Sequence, residues 1–114
     1  MARQHELMNS TIDSLLLHLI DQQPMYGYQI IKELEGRSQG YFRFKEGTLY
    51  PALHRLEESK LISGKWQVLP SSRQRRYYHI TEKGRAALVE KWSQWQDFLA
   101  ALHLITQRRL PDMR

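Results

Sequence analysis

Thr48-Leu49-Tyr50-Pro51-Ala52-Leu53-His54-Arg55-Leu56-Glu57-Glu58-Ser59-Lys60 runs straight into Leu61-Ile62-Ser63-Gly64-Lys65-Trp66-Gln67-Val68-Leu69, and the change of period between the two stretches decides the fold. In the first, Leu49, Leu53 and Leu56 recur at i, i+4, i+7, the face of a helix. Pro51 lacks an N–H and suits a first turn, so this helix is expected to begin near Gly47 or Thr48 and to close near Ser59-Lys60. Thr48, Tyr50, His54 and Arg55 then fall on its outer side. In the second, Ile62, Gly64, Trp66 and Val68 alternate with Ser63, Lys65, Gln67 and Leu69. Arg76, Tyr78 and Ile80 later alternate with Arg75, Tyr77 and His79, so the pair reads as a hairpin. Its connection, Pro70-Ser71-Ser72-Arg73-Gln74, is longer than a tight turn, and with Arg75 and Arg76 it forms a basic loop projecting from a small sheet.

Toward the N-terminus, Ser10 with Asp13 three positions on has the form of a capping box. Ile12, Leu15, Leu16 and Leu19 follow as a buried helix face running to about Gln22. Pro24 stops that helix, and a short second one follows Tyr26-Gly27, with Ile30, Ile31 and Leu34 inward and Gly36 placed to end it. Toward the C-terminus, Thr81 caps a last helix from about Glu82 to Gln107, before Pro111. Along it Leu88, Trp92, Trp95, Leu99 and Leu102 are spaced 4, 3, 4 and 3, a coiled-coil seam that Ala87, Phe98 and Ile105 widen. A core of three short helices and a hairpin cannot cover this seam, so a homodimer interface through these five residues is expected.

The chain has 114 residues, of which 41% are hydrophobic and 25% charged, values that suit one globular domain and exclude wholesale disorder. The expected division is a helix-and-hairpin unit over residues 10–81 and a dimerisation helix over 82–107. No apolar run approaches membrane-spanning length and Met1–Glu6 has no signal-peptide character, so a cytoplasmic location without membrane partners is expected. With no cysteine, disulfides, thiol catalysis and thiolate metal sites are excluded. No two of the five histidines share a helix face at i, i+3 or i+4, so no metal is expected. The sequence holds no nucleophile elbow, phosphate loop or paired-carboxylate motif, so neither an enzyme nor a cofactor is expected.

Charge supplies the functional clue. The formal net charge is +5, but from Arg37 to Arg85 there are 11 Lys and Arg against 4 Asp and Glu, a local net of +7. Such a segment fits a polyanion surface, and equally a solvated basic face. The element order decides between them. Three helices, a hairpin and a further helix make a mainly α winged helix-turn-helix, in which the third helix enters the major groove and the hairpin reaches the backbone or minor groove. Both of those elements are basic here.

Three stretches carry a family resemblance: Met25-Tyr26-Gly27-Tyr28-Gln29-Ile30-Ile31-Lys32-Glu33-Leu34, Glu46-Gly47-Thr48-Leu49-Tyr50-Pro51-Ala52-Leu53-His54-Arg55-Leu56-Glu57 and Arg75-Arg76-Tyr77-Tyr78-His79-Ile80-Thr81-Glu82-Lys83-Gly84. Together they resemble the signature of PadR-type transcriptional regulators over roughly residues 10 to 90, in the short form with a single C-terminal helix. The resemblance implies a homodimeric repressor on a palindromic double-stranded DNA operator, released by a small planar hydrophobic or phenolic effector. In short relatives, aromatic residues of the last helix, including a Trp resembling Trp92, line an inter-subunit pocket for planar molecules; Trp92, Trp95 and Phe98 are the residues that this puts forward here. Packing in the dimer seam is the simpler role for both tryptophans. Two positions depart from the family pattern. Lys60 stands where relatives usually carry glycine, at a cost of ~1 kcal/mol if the position is left-handed. Pro70-Ser71-Ser72 replaces a glycine-rich or acidic tip.

The candidate DNA contacts are therefore Tyr28, Lys32, Thr48, Tyr50, His54, Arg55, Arg73, Arg75 and Arg76. Three arginines in four positions of a loop seldom serve stability, although Glu82 offers one of them a partner. Tyr50 has a second option against the hairpin, and Tyr28 and Lys32 have alternatives in packing and solvation. A small-molecule-binding protein with incidental DNA affinity is the competing reading, and a protein-interaction module built on the last helix is a third. Neither needs a basic third helix and hairpin.

Overall fold

A computed structural model describes residues 2–107, with side chains described from residue 10 onward; Pro111, expected to bound the last helix, lies outside the described residues. The elements run α1 (Ala2–Gln22), β1 (Met25–Tyr26), α2 (Gly27–Arg37), α3 (Glu46–Glu58), β2 (Ile62–Val68), β3 (Gln74–Ile80) and α4 (Glu82–Thr106). One face each of α1, α2 and α3 closes on Ile62 and Tyr78 of the sheet. Leu16, Leu17, Met25, Ile30, Leu49 and Leu53 form the centre of this core, each at most 1% exposed.

Four local readings are corrected. The first helix begins at Ala2 rather than Ser10. No Gly or Pro interrupts residues 2–10, and Ser10 sits inside the helix with its carbonyl accepting from the Ser14 hydroxyl at 2.9 Å, a back-bond that serine makes within helices. Met25 and Tyr26 are a strand pairing antiparallel with Tyr78 and Tyr77, so the hairpin is part of a three-stranded sheet ordered β1-β3-β2. Gly36 does not end α2, which reaches Arg37. The reversal falls on Gln39 (φ 53°) and Gly40 (φ 84°), with Gly40 N–H donating to Glu35 O at 2.8 Å. Finally, α3 starts at Glu46, so Pro51 lies in its second turn, where proline removes one i→i−4 hydrogen bond, that to the Gly47 carbonyl.

The end of α3 is a Schellman turn. Leu61 N–H donates to Leu56 O at 2.9 Å and Lys60 N–H to Glu57 O at 3.0 Å, with Lys60 left-handed at φ 64°. The position does require the conformation glycine tolerates best, and lysine occupies it.

One junction joins this turn to α4. Thr81 N–H donates to Leu61 O at 3.1 Å, and the Thr81 hydroxyl lies within reach of the carbonyls of Lys60 (2.8 Å) and Leu61 (3.0 Å) while accepting from Gly84 N–H at 3.0 Å. Thr81 thus caps α4 as expected. Gly84 is buried against the same Leu61 carbonyl, so closely that a β-carbon there would collide with it. Ala87 and Leu88 pack on the core, Trp92 and Trp95 still lie against α1, and beyond Trp95 α4 leaves the globule; at 1.5 Å per residue its full length is about 37 Å, in a molecule of 61 × 29 × 28 Å.

An ion pair ties α3 to α1: Arg55 Nη2 donates to Asp13 Oδ1 at 3.0 Å. Burial raises the Asp13 carboxyl above its ordinary value, against the opposing pull of Arg55 and then Lys91. A carboxyl raised in the folded state stabilises the fold below its unfolded pKa and loses that contribution as pH rises through the folded value. Removing Arg55 raises Asp13 further and enlarges that loss. Arg55→Ala is therefore expected to cost about 1–2 kcal/mol near pH ~7 and less near pH ~3, read by urea unfolding at fixed protein concentration; equal costs at both would refute an electrostatic role for the pair. By the same measurement Lys60→Gly is expected to stabilise the fold by about 1 kcal/mol, through relief of the left-handed strain.

Candidate nucleic-acid interface

The buried residues Leu49, Ala52, Leu53 and Leu56 fix how α3 is rotated, and that rotation sorts the expected contact residues. Gly47, Thr48, Tyr50, Pro51, His54 and Glu58 are exposed. His54 Nε2 lies 3.5 Å from Glu58 Oε2 in a largely solvated pair, which sits on the helix surface one turn apart and adds little stability. Arg55 instead turns toward α1 and its carboxylate partner Asp13. On the opposite flank Glu57 faces the hairpin.

Tyr50 reaches across to the first turn of α2. Its hydroxyl end covers Gly27, and a β-carbon at Gly27 would collide with the ring. Only glycine allows this approach, so Tyr50 packs between helices while 41% of it stays exposed. Burial raises the Tyr50 phenol, Glu46 adding to it, and burial likewise raises Tyr78. Both phenols therefore stay neutral.

The hairpin arginines separate in the same way. Arg73 is exposed beside the loop, where Ser72 is left-handed at φ 68°. The Arg75 guanidinium stacks 4.1 Å from the centre of the Tyr26 ring, which meets Tyr77 edge-on at 5.4 Å. Arg76 turns to the other face of the sheet and pairs with Glu57 of α3, rather than with Glu82. On α2, Lys32 Nζ lies 5.7 Å from the ring of Tyr28, which is 53% exposed.

Tyr50, Arg75 and Arg76 are brought together around a cavity of about 280 Å³ lined also by Tyr26, Gly27, Trp66 and Tyr78. His54 joins Tyr50 and Arg76 in the adjoining open cleft. Lys32 lines a separate groove with Arg43. Trp66, 62% exposed on β2, is not singled out by strand alternation; an aromatic side chain on a projecting hairpin next to three arginines is the signal that marks it.

On α4, Trp92 and Trp95 line a cavity of about 80 Å³ with Ser14, Leu15, His18 and Leu88, and the Trp92 ring lies 5.7 Å from that of His18. Phe98 is not among the lining residues and is 63% exposed. This space is well below the ~300 Å³ at which sites for drug-sized molecules begin. Of the five seam residues, Leu88 packs partly on its own core, whereas Leu99 and Leu102 are each 41% exposed. Among the described residues no helix is long and apolar enough to cross a membrane.

Comparison with known proteins places this geometry in a family. Residues 16–90 match the transcriptional regulator PadR-like family. A transcriptional regulator of Mycobacterium tuberculosis is 36% identical over 85 residues, covering 75% of this chain and 76% of its own. An uncharacterized protein of Lysinibacillus sphaericus is 31% identical over 102 residues, 90% of this chain and 94% of that one. Among solved structures, a PadR-like transcription factor from Bacteroides fragilis superposes with a TM-score of 0.79 at 26% identity, covering 93% of this chain and all of its own. A PadR-like regulator from Bacillus cereus gives 0.74 at 28% identity, covering 94% and 98%. With the matched family spanning α1 to α4 and the winged-helix fold shared throughout, the chain belongs to the PadR-like family of transcriptional regulators.

Proposed function

We propose that the protein is a sequence-specific DNA-binding regulator that acts as a homodimeric repressor on a palindromic operator. The observation that carries this reading is the convergence at Tyr26 and Tyr50. Through these two rings the first turn of α2, the exposed strip of α3 and the hairpin arginine Arg75 meet on one surface. Phosphate contacts fall to Arg73, Arg75, Lys32 and Tyr28, and groove contacts to Thr48, Tyr50 and His54. Arg55 and Arg76 are left out of this set because a carboxylate already holds each guanidinium.

The dimer follows from α4. Trp92, Phe98, Leu99, Leu102 and Ile105 are all more than 40% exposed along one side of a projecting helix, more apolar surface than a soluble monomer ordinarily leaves open. A second copy packed on this strip would also supply a second wall to the small cavity at Trp92 and Trp95. That supports an effector reading, in which a planar hydrophobic or phenolic molecule stacks between symmetry-related indoles and shifts the spacing of the two α3 helices.

Two measurements test this. On a duplex selected from a random-sequence library by the wild-type chain, Tyr50→Ala is expected to weaken binding more than it weakens binding to unselected duplex. Arg75→Ala should weaken both and reduce the salt slope by ~1 per chain. Equal losses for Tyr50→Ala on both duplexes would remove α3 from recognition, and a wild type that holds selected and unselected duplex equally, with the same steep salt dependence, would favour a small-molecule-binding protein with incidental DNA affinity. In sedimentation, wild type is expected as a dimer and Leu99→Glu with Leu102→Glu as a monomer; a double variant that stays dimeric places the interface elsewhere.

A further inference from the structure

Arg76 belongs by sequence to a basic loop, yet its side chain is spent inside the molecule. Its Nη2 donates to Glu57 Oε2, and the same oxygen accepts from the backbone N–H of Gly64 at 3.2 Å. A helix and both strands of the hairpin therefore meet at one carboxylate oxygen. The guanidinium carbon lies 5.7 Å from the centre of the Trp66 ring and 5.9 Å from that of Tyr78. A β-carbon at Gly64 would occupy the place of the Arg76 guanidinium, so the arginine lies flat across β2 at the one point where the strand carries no side chain.

The position along the hairpin gives this contact its leverage. The base of the hairpin is anchored in the core by Ile62 and Tyr78, but beyond Gly64 the strand emerges, Trp66 being 62% and Val68 71% exposed. Among the described residues Glu57–Arg76 is the only ion pair between the hairpin and α3. From Arg76 to the loop at Ser71 is about five residues of strand, roughly 17 Å at 3.3 Å per residue. Over that arm a tilt of ~10° moves the tip by ~3 Å, enough to take a hydrogen bond at the tip out of range. Arg76 and Glu57 each keep about a third of their side chain exposed, at 32% and 31%, so the pair stands at the mouth of the cleft and not in the core.

We propose that Glu57 and Arg76 are positioning residues for recognition: gathered with the Gly64 N–H, they clamp the hairpin at a fixed angle to α3, and Arg76 makes no phosphate contact of its own. The proposal rests on the DNA-binding reading above, and it assigns sequence discrimination in part to a pair that touches no base. With the clamp intact, α3 and the hairpin tip meet their two grooves in one register. With the clamp open, the cations stay in place while the register is lost.

The test uses the full chain and the selected and unselected duplexes named above, with Glu57→Gln and Arg76→Met. The clamp predicts that both variants bind the selected duplex about tenfold more weakly, the loss expected when one charge-assisted hydrogen bond is broken, while the salt slope keeps its wild-type value. A direct phosphate contact predicts the opposite on both counts. Arg76→Met would then lower the slope by ~1 per chain, and Glu57→Gln, which removes a negative charge beside the duplex, would tighten binding. Either of these results overturns the proposal. A DNA-free readout separates it from the reading on which it rests: hydrogen exchange at the Gly64 amide is expected to quicken about tenfold in Glu57→Gln. Unchanged exchange in a variant that still binds duplex refutes the clamp alone. Quickened exchange in a protein whose wild type binds no duplex refutes the DNA reading, and with it the role in recognition.

Discussion

The carbonyl of Leu61 is the point through which this molecule is put together. It receives the Thr81 N–H, stands within reach of the Thr81 hydroxyl, and presses on Gly84. The chain passes this point twice, once on leaving α3 and once on entering α4. Without that contact the three-helix core and the hairpin would still have their own apolar reasons to assemble, and the direction of α4 would be left to its side-chain contacts with α1, among them Trp92 on His18 and Arg85 on Asp21. A side chain at Gly84 cannot be accommodated by rotamer adjustment, because the atom it would strike is backbone. Since α4 carries the exposed apolar strip and α3 carries the exposed polar one, the junction sets where a second α3 would stand relative to the first.

The fold was legible where a period could be counted. Seven-residue strands on both sides of the hairpin and the leucines and isoleucines of α1, α2 and α3 each show their spacing more than once, and the structure follows them. Met25 and Tyr26 could not be read this way: two residues carry no period, and their strand exists because Tyr77 and Tyr78, distant in sequence, supply its hydrogen-bonding edge. Ser10 misled because the residue that caps a helix also sits comfortably inside one when its neighbours are helical. Gly36 misled because a helix end is set by which residue turns left-handed, and Gln39 did so.

The site was legible in kind and illegible in direction. Four arginines look alike in the sequence, and all four lie near the expected surface. Two of them, Arg55 and Arg76, point at carboxylates that only folding brings near, Asp13 across from α1 and Glu57 across from α3. Arg73 and Arg75 meet no carboxylate among the described residues. The difference lies in partners with no fixed sequence separation, which is why residue type alone could not divide them. Gly27 is the reverse case. Its need for openness is set by Tyr50, a residue of another helix, so no pattern in the residues around Gly27 announces it.

For a surface proposed to meet a highly charged polymer, the exposed strip of α3 carries little charge of its own. Gly47 and Pro51 lie along it with Thr48 and His54, and the one large ring, Tyr50, is already pinned over Gly27. Glycine and proline have no side-chain rotamers to surrender on docking, whereas each immobilised lysine or arginine gives up as much as ~2 kcal/mol of conformational freedom. Much of the shape this strip offers is therefore set before any contact is made, and the cations Lys32, Arg73 and Arg75 stand around it on α2 and the hairpin. On the proposed reading attraction and fit fall to different side chains, so variation among the surrounding lysines and arginines would retune how strongly the surface is held without redrawing its outline.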